Sequence, residues 1–282
     1  MSKKGRLIAP ASKGAVAGYL LSPLLEIYVH SFLSHRYFEM NKTLQAPIRQ
    51  FFTCMGLSPL ASGIRHRFHH GPMSQEPVQN RLKAVLVSVS HNSTSLKETK
   101  KTLADPNNRS SLVFKGLDPK TDPILIEDAS GKLQVRPQGA LGTFFSRNAI
   151  TQQLPFVALI GSVAALKTYR SKTPIRESLK ESTAFFTGMR GMIFLPGFVS
   201  AVYPETRMGY VRGDQPQGSG IDRTKLWELT LFGRIAVHNL HHREPQAPRL
   251  PAGMFDRDEK IVMVLRKMRL VTDLPPVKSR SL

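Results

Sequence analysis

Imidazole is the side chain with the most chemistry in this sequence. Of nine histidines, eight fall in three short runs: His30 and His35 in HSFLSHR, His66, His69 and His70 in HRFHH, and His238, His241 and His242 in HNLHH. Neutral imidazole is the commonest protein ligand for zinc, iron and copper. Eight exceed what one tetrahedral ion can take, so their number points to two metal ions. On an α-helix, positions i, i+3 and i+4 share a face, so each H-x-x-H-H run can present its rings to one cavity. His30 and His35 are spaced i, i+5, about 140° apart on such a helix, and are expected to flank the cavity or to sit where a helix ends. His91, in VSVSHNSTS, stands outside the runs and reads as a surface polar residue. The single cysteine, Cys54 in FFTCMG, excludes an internal disulfide framework and reads as a small apolar residue.

These runs need elements that carry them to one place, and the apolar stretches supply candidates. Residues 148–166, NAITQQLPFVALIGSVAAL, are uncharged and flanked by Arg147 and Lys167, the length a helix needs to cross a bilayer. Residues 185–203 form a second candidate span that carries Arg190, and residues 14–29 a third. The stretch 51–64, FFTCMGLSPLASGI, is shorter and reads as a re-entrant or interfacial helix. The start, MSKKGR followed by an uncharged run, is not read as a cleaved leader, because His30 follows with no A-x-A site between. Residues 92–140 are rich in Ser, Lys, Asp and Pro and read as a solvent-exposed polar insertion, with a hairpin around Ser130-Gly131. With 282 residues and no internal repeat, one domain over 1–282 is expected.

With 40 Lys and Arg against 20 Asp and Glu, the formal charge of +20 points to anionic partners. No finger, RNP or helix-turn-helix pattern accompanies it, so nucleic acid is not expected. The mean hydropathy of −0.20 keeps open a soluble basic domain with buried helices.

The order H-x4-H, H-x-x-H-H, H-x-x-H-H, set among apolar segments, resembles the membrane fatty-acid desaturases, the acyl-CoA Δ9 type in particular. HSFLSHRYF looks like that family's first histidine box, RHRFHH like the second with its arginine, and HNLHH like the third with its asparagine, Asn239. The closing MFDRDEKIVMVLRKMRLVTDL resembles the family's amphipathic C-terminal helix, here 256–269, and the similarity covers about residues 15–275. The resemblance implies an all-α integral-membrane fold, with transmembrane helices under a cytosolic histidine-rich cap. It implies two iron ions held by His30, His35, His66, His69, His70, His238, His241 and His242, with Asn239 hydrogen-bonded to a ligand. It also implies O2 as co-substrate, an acyl-CoA or acyl-lipid substrate in an apolar tunnel, and electrons from a cytochrome b5 or ferredoxin-type carrier. The expected product is a cis double bond. The membrane would be the endoplasmic reticulum or a bacterial inner membrane, with the site on the cytosolic face. Related readings are a lipid hydroxylase of the same superfamily and a degenerate metal- and lipid-binding homologue. A redox metal suits such chemistry, since an unactivated C–H bond offers nothing to acid–base or nucleophilic attack.

The sequence departs from the family pattern in two places. The stretch corresponding to the family's N-S-A-A-H is Val199–Tyr203, without its Asn or His, and LFGRIAV precedes the third box without the usual acid. Arg36, Arg65 and Arg67, beside the boxes, read as interfacial positive charge or as receivers of a phosphate or carboxylate. Trp227 reads as an interface anchor in preference to a tunnel wall.

Overall fold

The computed structural model describes residues 5–69, 96–104, 122–137, 139–207, 225–234, 250 and 254–274, which are mostly helical. Helix α1 (Gly5–Leu25) runs without interruption into a π-helix, Glu26–Ser34. Strand β1 (Phe38–Met40), α2 (Lys42–Cys54) and α3 (Pro59–His69) follow. Next come α4 (Leu96–Ala104), β2 (Leu125–Glu127), β3 (Leu133–Val135) and α5 (Gly139–Phe145). The long helices α6 (Ala149–Ser171) and α7 (Ile175–Arg207) precede α8 (Leu226–Phe232), α9 (Arg257–Lys267) and β4 (Val271–Asp273).

Among the described residues, two helical stretches are long and apolar enough to cross a membrane, Leu7–Ser34 and Ala149–Ser171. The second spans about 35 Å at 1.5 Å per residue, against a hydrocarbon layer of about 30 Å. Only 17% of its apolar window is buried, compared with 56% for Leu7–Ser34. The core helix of a soluble domain would be mostly buried, whereas α6 keeps Ile150, Leu154, Val157 and Leu166 on the outside. The stretch 185–203 lies within α7. Its Arg190 rests over the rings of Phe156 and Phe194, at 4.8 and 5.8 Å, and donates to Gln153 Oε1 at 2.6 Å.

Backbone contact fixes how the long helices run. A Cβ on Gly14 would stand 1.9 Å from the Phe185 carbonyl oxygen, and one on Gly18 would stand 2.1 Å from that of Met189. This G-x-x-x-G spacing lets α1 and α7 touch along their axes. The contacts advance together on both helices, so the two are parallel. Lys167 pairs with Glu181 while Gln153 meets Arg190, so α6 runs the other way. Gly18, Met189 and the first turn of α6 therefore share a level, and the π-helix stands past the start of α6.

Local chemistry sets the ends of these elements. Pro23 cannot donate to the Tyr19 carbonyl, and Ser22 Oγ takes its place at 2.9 Å. Asn148 caps α6 with a reciprocal Thr151 bond, and Asp256 caps α9 through Glu259 N at 2.9 Å. The amphipathic C-terminal helix thus lies where 256–269 was expected. The 51–64 stretch, in contrast, is not one re-entrant helix. It breaks after Cys54, Gly56 takes φ +78°, and Pro59 restarts the chain at the first position of α3, where its missing N–H costs nothing.

The expected hairpin is present, with Leu125 opposite Val135 and a turn closed by Gly131 at φ +75°. Its surroundings differ from the solvent-exposed insertion read from composition. Leu103, Ile124 and Leu125 are buried in the same core as Phe32, Leu33 and Ile64, and Leu96 is buried as well. A second antiparallel pair, Phe38 opposite Asp273 and Met40 opposite Val271, ties the segment after His35 to the segment after α9.

Candidate metal centre

The π-helix overturns the angle expected for the first histidine pair. Its hydrogen bonds run five residues back, from His35 N to His30 O at 3.0 Å, and Ser34 Oγ reaches Val29 O at 2.6 Å. This wider turn brings i and i+5 onto one face. The rings of His30 and His35 accordingly stand 4.6 Å apart instead of diverging. From α3, His66 closes the group, with its ring 4.5 Å from His30 and 5.1 Å from His35. The approach requires Gly63, where a Cβ would stand 2.9 Å from Ile124 Cδ1 and 3.1 Å from Leu33 Cβ.

One ligand nitrogen from each of His30, His35 and His66 lies within 4.8 Å of the other two, and His35 Nε2 is 3.1 Å from His66 Nε2. Two imidazoles bound to one ion at about 2.0–2.1 Å would hold their nitrogens roughly 3 Å apart. The observed spacing fits a shared ion. His30 and His35 are 7% and 4% exposed, so most water is excluded. A donor set made only of imidazole suits zinc, iron, copper and nickel alike.

Residues that the sequence did not flag surround this group. Glu26 Oε1 stands 2.7 Å from His30 Nδ1, off the line of a straight hydrogen bond. A carboxylate on one ring nitrogen favours the tautomer that leaves the other free for a metal. Its signal was available, since Glu26 and His30 are one helical turn apart. Tyr37 stacks on His35 at 5.2 Å and 16°, and Arg234 lies over Tyr37 at 5.7 Å. Burial holds the Tyr37 hydroxyl well above its usual range, which keeps it neutral. Burial works against the Arg234 charge, but Asp256 and Asp258 outweigh it and raise its pKa. Arg234 Nη2 is 3.0 Å from Asp256 Oδ2, and its backbone N donates to Asp258 at 3.1 Å. Acids from α9 therefore partner the arginine of LFGRIAV, four residues before His238.

Two of the arginines beside the boxes are engaged inside the protein. Arg67 is 0% exposed, pairs with Asp122 at 2.8 Å, and donates to the carbonyls of Leu33 at 2.5 Å and Ser34 at 3.2 Å. Arg36 pairs with Glu39 and lies over Phe32. Neither supplies exposed interfacial charge; Arg65 is half-buried. Trp227 is 57% exposed among the described residues. Of the expected ligands, His30, His35 and His66 converge, and His69 is the last residue of α3. His70, His238, His241 and His242, together with Asn239 and His91, lie outside the described residues. Tyr203 lies in α7. No protein-family model, no curated protein and no solved structure matches this chain.

Proposed function

We propose that this chain is an integral-membrane, O2-dependent fatty-acyl desaturase whose three histidine runs hold two iron ions. The observation that carries the reading is the convergence of His30, His35 and His66 at the end of an apolar helix long enough to span a bilayer. The second ion would draw on His69, His70, His238, His241 and His242. When bound, the metal pair supplies the O2-dependent oxidising power that removal of hydrogen from an unactivated methylene demands. Glu26 orients the His30 ring, Tyr37 supports the His35 ring from one face, and the buried setting limits side reactions with water. The substrate is an acyl-CoA or acyl-lipid, and the electrons come from a cytochrome b5 or ferredoxin-type carrier on the cytosolic face. The +20 charge suits a cap beside anionic headgroups.

Val199–Tyr203, in place of a ligand-bearing pattern, favours one second reading: a homologue that binds metal and lipid without turnover. Expression in a host lacking its own desaturase, with an electron donor supplied and total fatty acids separated by gas chromatography, decides between them. A new unsaturated species is expected, and a hydroxylated product would identify an oxygenase of the same superfamily. An unchanged profile from protein that binds metal would establish the inactive homologue.

A further inference from the structure

We infer that Asp122, acting through Arg67, is a positioning residue for the metal-binding histidines, so that the polar insertion sets the geometry of the centre; this rests on the metal reading above. The sequence around Asp122, TDPILIE, carries no motif and lies far from every histidine run. The fold nevertheless sets its carboxylate 2.8 Å from the guanidinium of Arg67, the residue that follows His66, and the Arg67 side chain is fully buried.

Both ends of this pair are fixed. Asp122 Oδ1 accepts from Ile124 N and Leu125 N, each at 2.8 Å, and Arg136 Nε donates to the Asp122 carbonyl at 2.9 Å. The carboxylate is therefore held by the hairpin. On the other side, Arg67 donates to the carbonyls of Leu33 and Ser34, the last two residues of the π-helix. Terminal carbonyls of a helix lack partners within it, and a fixed guanidinium fork can meet two of them at once. His35 follows those carbonyls directly, so one guanidinium fixes the chain just before His35 and just after His66. These are the two rings whose Nε2 atoms lie 3.1 Å apart. The Arg67 guanidinium is fully buried, which makes the Asp122 carboxylate the natural partner of a charge with no water around it.

The test uses full-length protein in lipid nanodiscs, with Co2+ as the metal probe and three readouts: affinity, visible absorption and the rise in Tm on loading. Asp122→Asn keeps an oxygen for the two backbone amides and removes the charge. We expect it to weaken Co2+ binding about 10–100-fold and to alter the ligand-field bands, with Asp122→Glu recovering part of both. A purely structural role would lower the metal-free Tm and leave affinity, spectrum and the Co2+-induced rise unchanged; that result overturns the inference. His30→Ala is the control. If it keeps full Co2+ affinity, the metal reading fails; if it loses metal while Asp122→Asn does not, only the positioning role fails. Should Asp122→Asn not fold, Arg67→Lys, which keeps the charge and loses the fork, takes the same three measurements.

Discussion

At the scale of single residues, the centre depends on side chains that touch the histidines without being ligands. Glu26→Ala is expected to lower metal affinity by about 10–100-fold, because the His30 ring loses the carboxylate that selects its tautomer. Competition with a chromophoric chelator measures this, and a change under about twofold would show that the 2.7 Å contact is incidental. The buried Arg234 behaves differently, since its removal takes the guanidinium from the buried carboxylate of Asp256. Arg234→Ala should cost roughly 3–5 kcal/mol in unfolding experiments. Parts of this were legible in the sequence. The H-x-x-H-H spacing singled out His66, which the fold sets beside His30 and His35, and Glu26 stood one turn before His30. Asp122 could not be read, because nothing local relates it to Arg67 and only the folded chain makes them neighbours. The arginines beside the boxes stayed open between interfacial charge and a carboxylate partner for the same reason, and Arg36 and Arg67 take carboxylates of this chain.

At the scale of elements, the first histidine pair shows where helix arithmetic stops. On an α-helix the i, i+5 spacing makes the rings diverge, while the chain adopts a π register that aligns them and ends at His35, in keeping with the expectation that the pair sits where a helix ends. The π-helix follows Pro23 and packs against α3. The 51–64 stretch differs for the opposite reason: its uncharged length suggests one helix, while Gly56 and Pro59, both local signals, break it in two. The glycines of α1 matter through close approach. Gly14→Leu or Gly18→Leu would drive a side chain into the backbone of α7, which should destabilise the pair by about 1–3 kcal/mol or more and is measurable as a lower Tm in detergent. A pH dependence belongs to the hairpin. Bonds from Ser130 and Lys132 to Asp128 depress its carboxyl to about 2. A depressed carboxyl contributes fully above its unfolded value of roughly 4 and loses that contribution as pH falls through about 2. Amide exchange at Ser130 and Lys132 should therefore show less protection near pH 2 than near pH 5, beyond the intrinsic change in rate. A uniform response across β2 and β3 in Asp128→Asn and wild type would remove Asp128 as the cause.

At the scale of the whole molecule, the long helices determine which face holds the chemistry. Helices α1 and α7 run together and α6 runs against them, so the start of α1 and the turn from Lys172 to Pro174 lie at one end of the bundle. The π-helix leaves the other end and carries His30 and His35 beyond the start of α6. Strand β4 pairs with β1, and α9 packs on the π-helix, so the C-terminal segment belongs to the histidine end. If the apolar bundle spans a bilayer, the two ends are in different compartments. The fold therefore predicts opposite labelling for cysteines placed at Thr173 and at the exposed Lys260, each in a Cys54→Ser background. In sealed, oriented vesicles an impermeant maleimide should modify only one of them, and both after the membrane is opened. Equal modification of both in intact vesicles would mean that the bundle does not cross, and the centre would then belong to a protein lying on the surface. The same preparation addresses the third histidine run, because Arg234, four residues before His238, already reaches the Tyr37 ring that stacks on His35. With that approach fixed, the triple variant His238→Ala, His241→Ala, His242→Ala should fall from two metal ions per chain to at most one, held by His30, His35 and His66. Retention of two ions would remove the third run from the centre and leave the first two as the whole of it.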